Sequence, residues 1–498
     1  MPASATINFN AAATADTIAA SITPVTSATA TNTATTTDAG TPATTANANK
    51  HKSANWHNRP QSTALASGFI IFLSAGLNMA QNLGWNQFAL VSIHIYLSWF
   101  IGAVIGCLLS IPLVILITKK YIMASCSFFV LIDGIIFICA PASEYALIAA
   151  RYLNGIAVGV TTITFLIHGS EVTAKSYRGY CLAMEQYSIS LGIFIQVIHT
   201  SLWAEVFYIH GVFDLLLGCL GFASAFIFTI ESPIHCLRRG NETMALDCLA
   251  RLERPKGVKS TTYASLEEHK SYIRENNKYD MIESLKLGLV PLVKLMLYRS
   301  LMLTFGFSLP LTVAVQVGTL LSLGLETWPY IVYATLRLLG SLITIFTVDT
   351  LGRKFISLLN LIIIGALLIP IGIFFSNQYN FLDKQKMATV CTLSLLIQLF
   401  AGMYAPHTSV YVGEAFPLKV KPYLLSLCIA VEHIVHIITI CVLLSTSSRN
   451  YLYQYFLATG LVIIFTFLLF CAVIPETRKT SLSEAQSRFQ KLLYLKLY

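Results

Sequence analysis

The chain has 498 residues, of which 55% are hydrophobic and 11% charged, with a formal net charge of +9 and a mean hydropathy of +0.67. Soluble chains carry about 25% charged residues, so this composition excludes an ordinary water-soluble domain. Apolar runs of about 20 residues, each long enough to cross a hydrocarbon core of about 30 Å, start near Thr63, Phe88, Tyr121, Tyr145, Gly179, Phe207, Tyr298, Trp328, Phe355, Met387, Pro422 and Leu452. The expected fold class is all-α and integral to the membrane, with twelve transmembrane helices.

Residues 1–60 are rich in Thr, Ala, Ser and Asn and almost free of charge before Lys50. Such a segment buries too little apolar surface to offset its ordering entropy, which predicts a disordered tail. Residues 61–231 hold the first six helices. Helix 1 carries Asn78 inside an otherwise apolar run, and the join between helices 2 and 3 reads Ile115-Leu116-Ile117-Thr118-Lys119-Lys120. Helix 4 contains Arg151, Gly155 and Gly159 and ends at Glu171, and Arg178 opens helix 5. The seven-residue spacing sets Glu171 and Arg178 on either side of a short turn, available to each other. Gln186, eight residues past Arg178, lies about 12 Å deeper.

Residues 232–297 change to mixed charge, including Arg238, Arg239, Arg251, Glu253, Glu267, Glu268 and Lys270. This segment reads as a solvated link with short amphipathic helices, joining the first half to a second six-helix half over 298–475. Helix 7 offers Thr312 and a single amide, Gln316. Arg337 stands twelve residues before Asp349, about 18 Å from that boundary, and Glu432 stands eleven after Lys421, about 16 Å from it. His433 adjoins Glu432, and His436 is one turn further on the same face. An intramembrane charge costs at least about 2.5 to 3.5 kcal/mol on insertion scales, so such groups pair or face water. The expectation is that Arg337 and Glu432 face a central cavity and pair, with the two histidines nearby. Between helices 8 and 9 the stretch Asp349-x-x-Gly352-Arg353-Lys354 forms a tight charged turn, and Glu414 and Lys421 repeat the spacing of Glu171 and Arg178. That repeat supports an internal duplication. Residues 476–498 form a closing tail.

Several of these motifs together carry a resemblance. Asp349-x-x-Gly352-Arg353-Lys354 resembles the signature loop of the major facilitator superfamily, and Arg151, Gly155 and Gly159 resemble its Arg-x-x-x-Gly-x-x-x-Gly. Glu171, Arg178 and Gly179, Glu231-Ser232-Pro233, Glu414 with Phe416-Pro417 and Lys421, and Pro475-Glu476-Thr477-Arg478 follow in family order. The chain resembles the sugar porter family over roughly residues 63 to 485. The resemblance implies the major facilitator fold and facilitated transport of a sugar or polyol. It implies substrate contacts at Gln186 and Asn78 and a conformational gate of Glu171, Arg178, Asp349, Arg353, Glu414 and Lys421. Thr312 and Gln316 stand in helix 7 where the family carries a pair of glutamines. Arg337, Glu432 and His433, which depart from the family's residues at their positions, and His436 one turn on, are candidate substrate contacts from their intramembrane placement. The first-half loop lacks the family's Asp and Gly, so that half of the gate is expected to be weaker.

Basic residues gather on one face of the expected topology, at Lys50, Lys52, Arg59, Lys119, Lys120, Lys175, Arg178, Arg353, Lys354, Lys419, Lys421, Arg478 and Lys479. The positive-inside rule then places both termini in the cytosol, and a plasma membrane location is expected. The positive charge reports orientation, so the partners are a small solute and the bilayer, with no nucleic acid. The chain has neither a P-loop lysine motif nor a Gly-x-Ser-x-Gly, and its eleven cysteines show no metal spacing, so no enzyme activity, cofactor or metal is expected. Two other readings stay open at this point: a proton-coupled carrier of a charged organic solute, and a non-transporting sugar sensor.

Overall fold

A computed structural model describes residues 59–80, 92–203, 206–254, 256–445 and 450–496. The expected tail lies outside these residues except at its last two positions, as do Lys50 and Lys52. Among the described residues, eleven helices are long and apolar enough to cross a membrane, and Ala66–Met79 is a shorter apolar helix. We number the spans α1 (Ala66–Met79), α2 (Ile93–Leu116), α3 (Lys119–Cys139), α4 (Glu144–Val172), α5 (Arg178–Leu202) and α6 (Val206–Phe228) in the first half. The second half comprises α7 (Met281–Ser322), α8 (Trp328–Thr347), α9 (Lys354–Ser376), α10 (Lys384–Ala415), α11 (Lys421–Ser445) and α12 (Asn450–Val473). The link between them holds short helices at Pro233–Arg238, Glu242–Leu252 and Ser260–Asn277.

The helices start where side chains can satisfy the first free amides. Ser92 caps α2 by accepting from the His94 amide, Ser143 caps α4 through Ala146, and Asp383 caps α10 through Gln385. Outward faces keep large apolar side chains exposed, among them Leu108, Ile227, Phe346, Phe465 and Leu468. In a membrane protein these positions meet lipid tails.

The packing repeats six helices apart. In the first half α2 lies on α4 and α3 on α6; in the second, α8 lies on α10 and α9 on α12. The halves meet along α2 with α11 and α5 with α8, which are exchanged by the same shift of six. Small residues set the α2–α4 distance: a Cβ on Gly155 would lie 2.2 Å from the Trp99 carbonyl oxygen, and one on Gly159 2.3 Å from that of Ala103. The equivalent contact in the second half brings Gly402 of α10 against the Arg337 carbonyl, where a Cβ would approach to 2.2 Å. Close backbone approach is the usual route to tight helix pairing in lipid, where apolar side chains gain little by leaving it.

α7 is interrupted. Its first part, Met281–Leu295, runs into a π-helical turn at Met296–Leu301, then Met302–Gly306, and after Phe307 and Ser308 a second part at Leu309–Ser322. The apolar run expected from Tyr298 is thus the continuation of an earlier helix, which puts Arg299 inside the π turn and away from any chain end. π turns insert an extra residue into a helix and gather at functional positions.

Candidate functional site

The centre of the bundle is polar, and both halves build it. Arg299 of α7 is 2% exposed and forms two ion pairs: Nη2 to Oε1 of Glu185 on α5 at 2.6 Å, and Nε to Oε2 of Glu432 on α11 at 2.8 Å. Its Nη1 also donates to Ser409 Oγ on α10 at 3.2 Å. Gln186 Nε2 donates to Glu185 Oε1 at 3.2 Å, so the expected amide joins the same group. Beside it His436 stacks on Phe100 with ring centroids 4.8 Å apart, and His433 meets Trp99 edge-on at 5.8 Å. Phe100 and Trp99 belong to α2, so imidazoles of one half pack on aromatic rings of the other.

The expected pairing of Arg337 with Glu432 is corrected here. Glu432 pairs with Arg299, whereas Arg337 of α8 lies over the Phe307 ring at 4.5 Å and donates to Gln398 Oε1 on α10 at 3.4 Å. The spacing argument fixed the depth of Arg337 and left its direction around the helix open. The α8–α10 contact at Gly402 turns the Arg337 side toward α10. Thr312 bonds within its own helix to the Leu309 carbonyl at 2.8 Å, and Gln316 is half-buried on the same segment of α7.

One end of the bundle is locked across the halves. Glu414 of α10 is fully buried and accepts from Arg178 Nε of α5 at 2.7 Å and from Arg353 Nη1 at 2.5 Å. Arg353 also reaches Asp349 at 3.0 Å, and the other Asp349 oxygen accepts the Tyr180 amide at 2.8 Å. Gly179 leaves room for this contact, since a Cβ there would stand 2.2 Å from Asp349 Oδ1 and would push the carboxylate aside. Gly352, at φ +100°, lets the Arg353 and Lys354 amides both donate to Glu476, at 2.7 and 3.0 Å. Arg178 and Glu171 do not meet across their turn as the spacing suggested: Arg178 crosses to Glu414, and Glu171 accepts from the Ser232 hydroxyl. Lys421 Nζ crosses the other way and donates to Ser170 Oγ at 2.7 Å.

A second buried cluster lies wholly in the first half. Asp133 of α3, His210 and Asp214 of α6 place ligand-type atoms within 4.8 Å of one another. His210 Nε2 is 3.0 Å from Asp214 Oδ2, and its Nδ1 lies 3.0 Å from Gln196 Oε1. Asn78 Nδ2 donates to Asp214 at 3.2 Å, Asn154 Nδ2 donates to Asp133 at 2.9 Å, and Asn154 Oδ1 accepts from Trp99 Nε1 at 2.9 Å. Arg151 is buried alongside and donates to the Asn78 carbonyl at 3.3 Å. The trio could offer three ligands to a metal.

Sequence reasoning missed Glu185, Arg299, Asp133 and Asp214. The signal was present, since each is an ionisable residue inside an apolar run, the rule that singled out Arg337 and Glu432. Arg299 escaped it because the start of helix 7 was placed one residue before it.

Comparison with known proteins agrees with this architecture. The profile of the family described as "Sugar (and other) transporter" matches residues 24–489. The chain is 24% identical over 400 residues to hexose transporter 1 of Plasmodium falciparum (isolate 3D7), covering 73% of this chain and 75% of that one. It is 25% identical over 421 residues to the arabinose-proton symporter of Escherichia coli (strain K12), covering 78% and 84%. Among solved structures, the major facilitator superfamily proton:xylose symporter XylE bound to 6-bromo-6-deoxy-D-glucose superposes with a TM-score of 0.69 at 16% identity, over 87% of this chain and 99% of that one. Among the described residues, eleven membrane-length apolar helices and a shorter one, in two matched halves with ion pairs between them and a polar centre, belong to a multi-pass membrane carrier, and the chain is a member of the sugar (and other) transporter family.

Proposed function

We propose that the protein moves a sugar or polyol by alternating access, in the plasma membrane with both termini in the cytosol. The observation that carries this reading is that the halves share ion pairs at two depths. Glu185 with Arg299 spans them at the centre, and Arg178 with Glu414 spans them at the end taken as cytosolic. Rocking of one half against the other must exchange both sets, so a solute that engages the centre is coupled to the lock. Gln186, Glu185, Ser409, Glu432, His433 and His436 supply donors and acceptors of the kind hydroxyl groups need, and Trp99 and Phe100 supply apolar faces. Asn78, Thr312, Gln316 and Arg337 are the further proposed contacts; in this conformer Asn78 belongs to the Asp133–Asp214 cluster, and Arg337 packs on Phe307.

A second reading, proton-coupled movement of the solute, is favoured by the Asp133–Asp214 contact. Two buried carboxyls close to each other, one of them accepting from Asn78 of α1, are groups that can take up and release a proton. Uptake by purified protein in liposomes, with labelled hexoses, polyols and charged solutes, tests both readings. Saturable sugar flux indifferent to a pH gradient supports facilitated diffusion. Flux driven by the gradient and abolished by Asp214→Asn supports coupling. Sugar binding without flux overturns transport and leaves a sensor.

A further inference from the structure

The lock is lopsided. On one side Glu414 is clamped by Arg178 and Arg353. On the other the corresponding carboxylate, Glu171, meets only the Ser232 hydroxyl among the contacts described. The α2–α3 join that would carry a matching Asp and Gly is Ile115 to Lys120. A cavity of about 170 Å³ occupies that place, lined from the first half by Lys119, Glu171, His235, Arg238 and Arg239 and from the second by Lys421. One water needs about 10 to 15 Å³ on this measure, so the space accepts a polyatomic ion.

Its chemistry is that of an anion site. Lys119, Arg238, Arg239 and Lys421 face Glu171; Lys119 also pairs with Glu231 at 3.6 Å just outside the lining, whereas neither Arg238 nor Arg239 has a carboxylate partner within 4.0 Å among the described residues. Arg239 Nη2 is held by the Leu116 carbonyl at 2.6 Å, which fixes the guanidinium at the rim. Lys119 Nζ lies 2.9 Å from His235 Nδ1. An ammonium has only protons to give, so Nδ1 accepts and Nε2 carries the ring proton. That Nε2 is buried with no hydrogen-bond partner, an unsatisfied donor on a residue that lines the cavity. Burial and the neighbouring Lys119 hold His235 below its ordinary value, so the ring is a neutral donor near pH 7.

We propose that this cavity binds a phosphate-bearing anion, and that its occupancy holds the two halves together in the locked conformer. The anion would take the His235 Nε2–H and the Arg238 and Arg239 guanidinium groups from one half and Lys421 from the other. It would thus supply the negative charge that the α2–α3 join lacks. A phosphate ester in solution and the headgroup of a phosphoinositide both present this chemistry. The second clause rests on alternating access; the first does not.

The test uses the full chain, purified in detergent, with inorganic phosphate and a short-chain phosphatidylinositol phosphate as probes in equilibrium dialysis at low and high salt. The variant is Arg238→Gln/Arg239→Gln, both exposed and outside the lock. The wild type is expected to bind at least one probe, more weakly in high salt, and the variant about tenfold more weakly, as two lost charge contacts imply. Inorganic phosphate binding assigns the source to a soluble ester; binding of the lipid probe alone assigns it to a headgroup. Absence of binding by both probes, or equal binding by the variant, overturns the site. In liposomes the bound probe should slow sugar uptake in the wild type and leave the variant unaffected. Binding with no change in uptake would overturn the second clause while leaving the site in place, and because dialysis needs no flux, failure of transport itself is seen separately.

Discussion

Replacing Glu414 by Gln should unlock one end of the bundle. Glu414 is fully buried and is the only carboxylate among the described residues that pairs with both Arg178 and Arg353. Removing one partner of a buried ion pair costs about 3 to 5 kcal/mol. The lower figure applies here, because Arg353 keeps Asp349 at 3.0 Å and the Thr477 hydroxyl at 2.8 Å, Arg178 keeps the Thr480 carbonyl at 2.5 Å, and the amide retains one acceptor. A loss of about 3 kcal/mol confined to the locked conformer shifts the ratio of locked to open by about 100-fold. Cys181 reports the shift: it lies on α5 less than one turn from Arg178 and is fully buried in the locked conformer. Its modification by a membrane-impermeant maleimide in inside-out vesicles, corrected with a Cys181→Ser control, should accelerate by up to about that factor. An unchanged rate in a variant whose melting temperature matches the wild type would show that these pairs do not set the conformer ratio, and the coupling argument would fail with them.

Gly179→Ala should act in the same direction, since its Cβ would stand 2.2 Å from Asp349 Oδ1 and 2.9 Å from Arg353 Nη2; faster Cys181 modification with an intact melt is the expected outcome. Arg299→Met leaves Glu185 and Glu432 buried without their cation and should cost about 3 to 5 kcal/mol, seen as aggregation in size-exclusion chromatography. The triple variant Glu185→Gln/Arg299→Met/Glu432→Gln should recover the monodisperse peak and remain inactive in uptake. For His235, whose value is lowered by burial and Lys119, the unfolded chain takes up the proton first as pH falls. Stability should therefore decline below about pH 6.5, and thermal melts of His235→Asn should show a flatter slope between pH 7.5 and 5.5.

The spans and the lock were legible because each is local. A run of apolar residues names a span, and Asp349 to Lys354 names a turn whose charges must find partners. Arg353, Glu414 and Arg178 do find one another, although Glu171, singled out by the same spacing, turns to Ser232. The centre was harder, because residue spacing gives depth along a helix and not direction around it. Arg337 and Glu432 stand at similar depths, yet α8 presents Arg337 to Phe307 and Gln398 while α11 presents Glu432 to Arg299. Arg299 itself lies in the π turn that joins an amphipathic helix to an apolar one, and a charge there reads as a boundary marker. The approach of Asp133 to Asp214 brings together residues 81 positions apart in sequence, and neither helix's pattern points at the other.

The glycine contacts of α2 with α4 and of α8 with α10 have a mechanical consequence. Backbone there rests on carbonyl oxygen with no side chain between, at Gly155 on Trp99, Gly159 on Ala103 and Gly402 on Arg337. Such a joint has no rotamer to change and no slack to take up, so each half should behave as a stiff lever. The seam between the halves is joined by ion pairs, single hydroxyl contacts and ring contacts such as His436 on Phe100, which can be traded for water or solute one at a time. Displacement is thereby concentrated at the seam. A force applied by a solute at Arg299 would then reach Glu414 as rotation of whole halves, with little lost to bending inside either one.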